Sequence, residues 1–305
     1  MFQSIIDDIK SSFRMGNTLT KIIIVNVAIF AVVRLIVEFT GYMNPGGGLA
    51  NHPLVSWLAL SSDPITILKR PWTIFTSFFL HLGVWHVVWN MVLLYWFGRI
   101  IGDFLGDRRV LPIYILGGLI GGALYVVADH LIPIGTDGNA VALGASAAVM
   151  AFVFAAAAKV PDYGIRLFLI PVTIKIKYIA LVILFFDLIG TNGTNSGGHI
   201  AHLGGAAFGM VFIYYLNQGV DITGFLQKLF SGEWLSTTKS APQKRKSPVK
   251  VVYRNEKMSR KNVVKEKPVD FQDRLDGILD KIKSEGYDNL TNEEKEFLYS
   301  ASKKK

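Results

Sequence analysis

For its first 218 residues the chain alternates between long apolar runs and short polar or glycine-rich breaks. Six runs stand out, at about 20–40, 81–101, 110–128, 142–159, 167–189 and 199–217. A helix of about 20 apolar residues crosses the roughly 30 Å hydrocarbon core of a bilayer. Six such runs in succession predict an all-α polytopic membrane protein rather than the buried helices of a soluble domain. From about residue 236 the pattern changes to dense charge with almost no long apolar run. The pattern therefore divides the chain into an N-terminal segment (1–19), a six-helix membrane domain (20–218), a basic linker (219–268) and a small C-terminal appendage (269–305).

The breaks carry their own signals. Residues 1–16 place Phe2, Ile5, Ile6, Ile9 and Phe13 on one side of a short amphipathic helix. The 41–80 loop holds a Pro-Gly-rich stretch, an apolar stretch around Trp57 and then Pro71-Trp72. Aromatics and prolines beside the spans suggest a structure lying in the membrane interface. In the appendage, Phe271, Leu275, Ile278, Leu279 and Ile282 have helical spacing, and Gly286 stops that helix. Thr291 and Glu294 then have the spacing of a capping box at the start of a second helix.

Charge adds orientation. Lys10, Arg14 and Lys21 precede the first run, which is too long for a signal peptide and is read as an anchor that stays. Arg99, Arg108 and Arg109 lie between runs two and three, and Lys159 and Arg166 between runs four and five, while the 129–141 break has neither Lys nor Arg. The positive-inside rule puts both termini in the cytoplasm. The net charge of +9 sits mostly in the tail, where residues 239–267 hold eleven Lys or Arg and two acids. The favoured reading of this block is a solvated linker that obeys the positive-inside rule; as a partner beside a membrane, anionic lipid fits it better than nucleic acid. With no cysteine, disulfide and thiolate chemistry are excluded. The absence of an obvious organelle presequence favours a bacterial inner membrane.

Polar groups inside apolar runs are costly and usually face the bundle interior. His86 and Asn90 lie one turn apart in run two. Ser146 opens run four within Gly144-Ala145-Ser146-Ala147. In run six, Ala201, Gly205 and Gly209 recur every four residues, a spacing that lets helix backbones approach closely. His202 lies beside that seam. If run six packs on run four, His202 can take the Ser146 proton, and the Ser146 backbone N–H, His86 and Asn90 can donate to an oxyanion. No carboxylate is evidently placed to orient His202, Asp187 being read as near the wrong end of run five, so the reading is a Ser-His dyad. A metal site at His81, His86, His199 and His202 is disfavoured, because no acid or thiol joins them with ligand spacing. No cofactor is implied. A small transporter is a weaker alternative, with no inverted-repeat pattern to support it.

At these residues the chain resembles the rhomboid family of intramembrane serine proteases, over about residues 50–215. The family's H-x-x-x-N pattern matches His86 to Asn90, with His81 at another position where the family often has histidine. Its G-x-S-G motif matches Gly144-Ala145-Ser146, and A-H-x-x-G-x-x-x-G matches Ala201, His202, Gly205 and Gly209 in full. The resemblance implies a six-transmembrane-helix rhomboid-like bundle with Ser146 as nucleophile, His202 as general base and His86 and Asn90 as oxyanion donors. It also implies a membrane-embedded 41–80 loop, transmembrane protein substrates and a small side chain before the cut. Three positions depart from the pattern: Ala147 replaces glycine, Thr73 follows Trp72 where arginine is common, and Gly102 stands where an acid is common. Met150 falls where some members have an aromatic. The alternative within the same fold is a catalytically inactive protein that binds membrane clients.

Overall fold

The computed structural model describes residues 16–40, 52–131, 141–166, 172–192, 195–231 and 271–303. The N-terminal amphipathic helix and the 239–267 basic block read from the sequence lie outside them. Each of the six apolar runs contributes a helix. In chain order the elements are α1 (Thr18–Phe39), α2 (Pro53–Leu58), β1 (Leu60–Ser61), α3 (Pro64–Lys69), α4 (Thr73–Thr76), α5 (Val84–Leu105) and α6 (Val110–Leu131). There follow β2 (Val141–Ala142), α7 (Ser146–Lys159), β3 (Gly164–Arg166), β4 (Thr173–Lys175), α8 (Ile176–Gly190), α9 (Ser196–Asn217) and α10 (Gly224–Ser231).

Four helices, α1, α5, α6 and α9, are long and apolar enough to cross a bilayer. The other two expected spans are shorter. Helix α7 has 14 residues and α8 has 15. At 1.5 Å per residue α7 is only about 21 Å long. It starts late because residues 141–145 do not continue the helix. Val141 and Ala142 instead pair with Ser61 and Leu60, and Gly144 adopts φ +110. Helix α8 starts late because Thr173–Lys175 pairs antiparallel with Gly164–Arg166. The two small ladders are minor additions to an architecture carried by helices, as the pattern predicts.

Helix α7 is the centre of the bundle. Every residue from Ala147 to Ala156 is buried. Small residues make that possible. A Cβ built on Gly205 would lie 1.9 Å from the Ala147 carbonyl oxygen, and one on Gly209 2.3 Å from that of Ala151. The predicted small-residue seam of α9 thus packs directly on α7. A second seam lies on α6, where Gly117 and Gly121 receive the methyl groups of Ala151 and Ala147. Burial all round gives α7 no free face, so its neighbours must present backbone where its own side chains leave least room.

Polar contacts gather at one end of the bundle. Asp107, just after α5, accepts from the Thr18 N–H at 3.0 Å and the Thr18 hydroxyl at 2.5 Å at the start of α1. Arg109 pairs with Asp221, just after α9, at 2.8 Å. Lys159 at the end of α7 donates to Asn217 at the end of α9 at 3.2 Å. The opposite end therefore gathers the C-terminus of α8 and the N-termini of α5, α7 and α9, where every candidate site residue lies. Helix α10 falls in a stretch read as linker. Asp221, three residues before it, accepts from the Thr223 N–H and the Gln227 side-chain amide.

The C-terminal residues form a separate compact unit. It contains α11 (Phe271–Glu285), a 3₁₀ turn at Tyr287–Asn289 and α12 (Asn292–Lys303). Gly286, at φ +83, ends α11 as expected. The capping box forms reciprocally: Thr291 N–H donates to Glu294 at 2.8 Å, and Glu294 N–H donates to the Thr291 hydroxyl at 3.3 Å. Lys281 reaches across to Glu294 at 3.1 Å.

Candidate active site

Ser146 is the first residue of α7, held in place by its lead-in. The Gly144 N–H donates to the Ser77 carbonyl at 2.8 Å, and the Ala145 N–H to His81 Nε2 at 3.3 Å. His81 is almost fully buried, and its ring packs edge-on against His86 at 5.0 Å between centroids. The positive φ of Gly144 is one that side-chain-bearing residues rarely adopt. A Cβ there would also sit 2.8 Å from the His86 ring. Gly144 therefore sets both the turn into α7 and the room for His86.

The first amides of any helix lack an intrahelical acceptor and carry the positive end of its dipole. At α7 those amides belong to Ser146 and its neighbours, at the edge of a cavity of about 690 Å³. Ser146, His202, His86 and Asn90 all line it, so the fold brings the four predicted site residues to one space. The Asn90 side-chain amide donates to the His86 carbonyl at 2.8 Å, which fixes its orientation on α5. Trp85, Trp89, Leu93 and Met150 supply an apolar wall. Met150, one turn after Ser146, takes its place in that wall.

The main correction concerns His202. Its Nδ1 lies 2.7 Å from Asp187 Oδ1, so the histidine does have a carboxylate partner. The same oxygen lies 2.8 Å from His199 Nδ1. Helices α8 and α9 form an antiparallel hairpin, which sets the last turn of one beside the first turns of the other. Asp187 is thus at the right end, three residues before α8 stops. That neighbourhood was available from the short 191–195 connection. The face on which Asp187 lies was not. A carboxylate on Nδ1 holds the ring in the Nδ1–H tautomer and leaves the Nε2 lone pair to accept a proton.

The departures from the resemblance have local accommodations. The Ala147 methyl lies against Gly121, where a Cβ would come within 2.5 Å of it. An arginine does brace the loop, from position 70. Arg70 lies 5.5 Å over the Trp57 ring and donates to the Ser56 carbonyl at 3.1 Å. Trp72 stacks on Trp57 at 5.1 Å and donates to its carbonyl. Near Gly102, Arg99 pairs with Asp103 at 3.8 Å in an exposed i, i+4 contact.

Comparison with known proteins agrees with this picture. A model of the Rhomboid domain matches residues 68–219. Among relatives, presenilin-associated rhomboid-like protein A, mitochondrial, of Danio rerio is 33% identical over 141 residues, covering 46% of this chain and 36% of that protein. RHOMBOID-like protein 12, mitochondrial, of Arabidopsis thaliana is 31% identical over 159 residues, 48% of this chain and 47% of the relative. Rhomboid-related protein 1 of Caenorhabditis elegans is 30% identical over 154 residues, 48% and 40% respectively. The chain spans less than half the length of these curated relatives. The mitochondrial names do not fit the expected bacterial inner membrane. With the matched domain carrying the serine, both cavity histidines and the Asn90 amide, this integral membrane protein belongs to the rhomboid family.

Proposed function

We propose that this protein is an intramembrane serine endopeptidase that cuts peptide bonds in or near transmembrane segments of other membrane proteins. The observation that carries the reading is the convergence of Ser146, His202, His86 and Asn90 on one cavity, with Asp187 on the far nitrogen of His202. Ser146 Oγ attacks the scissile carbonyl while His202 Nε2 takes its proton. The oxyanion meets the Ser146 N–H at the start of α7, together with His86 and Asn90. His202 then protonates the leaving amine, and water hydrolyses the acyl-enzyme with the same base. Asp187 positions the imidazole and stabilises its cation, so the unit works as a Ser-His pair with a positioning acid.

Substrate enters sideways between helices. Helix α8 supports that route, since Leu181, Val182, Phe185 and Phe186 leave much of its surface uncovered by the rest of the bundle. The end of the membrane domain where Asp107, Arg109 and Asp221 gather faces the cytoplasm. Where the basic linker has a partner, its charge favours anionic lipid. The one observation on the side of an inactive client-binding protein is Ala147, and its methyl is accommodated against Gly121.

The test is cleavage of a model transmembrane substrate by the purified full chain in detergent. Cutting by wild type that disappears in both Ser146→Ala and His202→Ala supports the assignment. Cutting that survives Ser146→Ala removes the nucleophile. If nothing cuts, failure of Ser146 to label with a fluorophosphonate favours the inactive reading.

A further inference from the structure

Proton transfer from Ser146 in the proposed mechanism uses one histidine, with one acid to position it. The structure provides a second histidine on that acid. His199 Nδ1 and His202 Nδ1 both lie on Asp187 Oδ1, at 2.8 and 2.7 Å, and ligand atoms from the three residues lie within 4.8 Å of one another. His199 and His202 are one helical turn apart on α9, and Asp187 comes from the neighbouring helix. Two imidazoles and a carboxylate are a common ligand set for zinc, which leaves a fourth position for water. His199 reaches the cluster because Gly190 has no side chain, a Cβ there falling 2.4 Å from its ring. The histidines keep 27% and 18% of their side-chain surface open, whereas Asp187 keeps 8%.

We propose that Asp187, His199 and His202 form a binding site for Zn²⁺ that switches off the base. Ligand atoms around a tetrahedral zinc are about 3.4 Å apart, so the present contacts open by about half an ångström to admit the ion. Zinc binds the Nδ1 lone pair, and the Nδ1 proton of each ring moves to Nε2. His202 then presents Nε2–H to Ser146 and has no lone pair with which to accept its proton. Asp187 remains a carboxylate and becomes a ligand. The ion is an inhibitor rather than a resident cofactor. The inhibitory consequence rests on His202 being the base, whereas the ion site itself does not.

Two readouts separate these parts. Cobalt(II) titrated into the full-length protein in detergent reports the site directly, through the visible absorption of a four-coordinate complex. That band should appear at one equivalent with wild type and be absent from His199→Ala and His199→Gln. Fluorophosphonate labelling of Ser146 reports the consequence. Saturating Zn²⁺ should slow wild-type labelling roughly 100-fold or more, the worth of a general base. Mg²⁺, which prefers oxygen ligands, should leave the rate unchanged. Both His199 variants should label at the wild-type rate without metal and keep that rate with zinc. A missing cobalt band, or equal zinc inhibition in wild type and the variants, overturns the site. A cobalt band with no labelling of Ser146 under any condition keeps the site and instead overturns the protease reading.

Discussion

At the residue scale, one carboxylate and one glycine shape the cavity on which the proposed chemistry depends. In the proposed mechanism Asp187 touches the base and not the substrate, so Asp187→Asn should lower kcat at least about 10-fold, towards the roughly 10⁴-fold cost of breaking a catalytic histidine–carboxylate pair. KM should be nearly unchanged, and the pH profile of kcat should shift, because the imidazolium loses its carboxylate. A variant that lowered kcat through misfolding alone would lose melting temperature and keep the profile. Gly144 faces two constraints together, φ +110 and the His86 ring 2.8 Å from any Cβ. Gly144→Ala should therefore cost about 1–3 kcal/mol of stability and displace His86. The expected result is a lower melting temperature together with loss of fluorophosphonate labelling. Unchanged labelling would show that the turn can relax without disturbing the site.

At the scale of elements, the question is how a short helix is held in the middle of longer ones. Helix α7 is surrounded because α6 and α9 approach it backbone to backbone. Gly205→Ala puts a methyl where the Ala147 carbonyl already lies. Because backbone must give way, the cost should reach the upper part of the range for overpacking, about 3 kcal/mol. The parallel change Gly224→Ala meets nothing within 4 Å and should be nearly neutral. Thermal unfolding of both variants in the same detergent checks the contrast. The spacing of Ala201, Gly205 and Gly209 made one of these seams legible in the sequence, because a four-residue period of small side chains on a membrane helix has few other uses. Gly117 and Gly121 have the same period and mark the second seam. The late start of α7 was not legible, because Val141-Ala142-Leu143 is as apolar as the helix that follows. Only the pairing with Leu60–Ser61 removes it from the helix.

At the scale of the membrane domain, one end is tied by charge and the other is left open for chemistry. Burial alone would raise the Asp221 carboxyl, but donors from Thr223, Gln227 and Arg109 outweigh it and hold the group below the usual carboxylate range. A depressed carboxylate stabilises the fold above its unfolded value of about 4, and that contribution is lost as pH falls through the folded value. The melting temperature should therefore drop between about pH 5 and the acid end, and Asp221→Asn should flatten that dependence. Arg109→Ala should cost about 2 kcal/mol at neutral pH, the worth of hydrogen bonds to a charged group. A pH dependence identical in wild type and Asp221→Asn would show that other carboxylates govern acid unfolding.

The amino-acid sequence by itself determined which runs become apolar helices, though not where α7 and α8 begin, because a long apolar run in hydrocarbon must satisfy its own backbone groups as a helix. It likewise singled out Ser146, His202, His86 and Asn90, which the fold brings to one cavity, because polar groups are costly in lipid; it did not single out Asp187. It also determined the capping box at Thr291 and Glu294, a contact made within one turn of chain. What depended on helix-to-helix rotation was left to the tertiary structure: the meeting of four residues from α5, α7 and α9 at one cavity, the shared hold of Asp187 on two histidines, and the bond from Asp221 to Arg109. Those contacts join positions 12 to 112 residues apart. Periodicity tells how a helix is striped but not which neighbour each stripe will face. That is set only when the small-residue seams close and fix the angle between the helices.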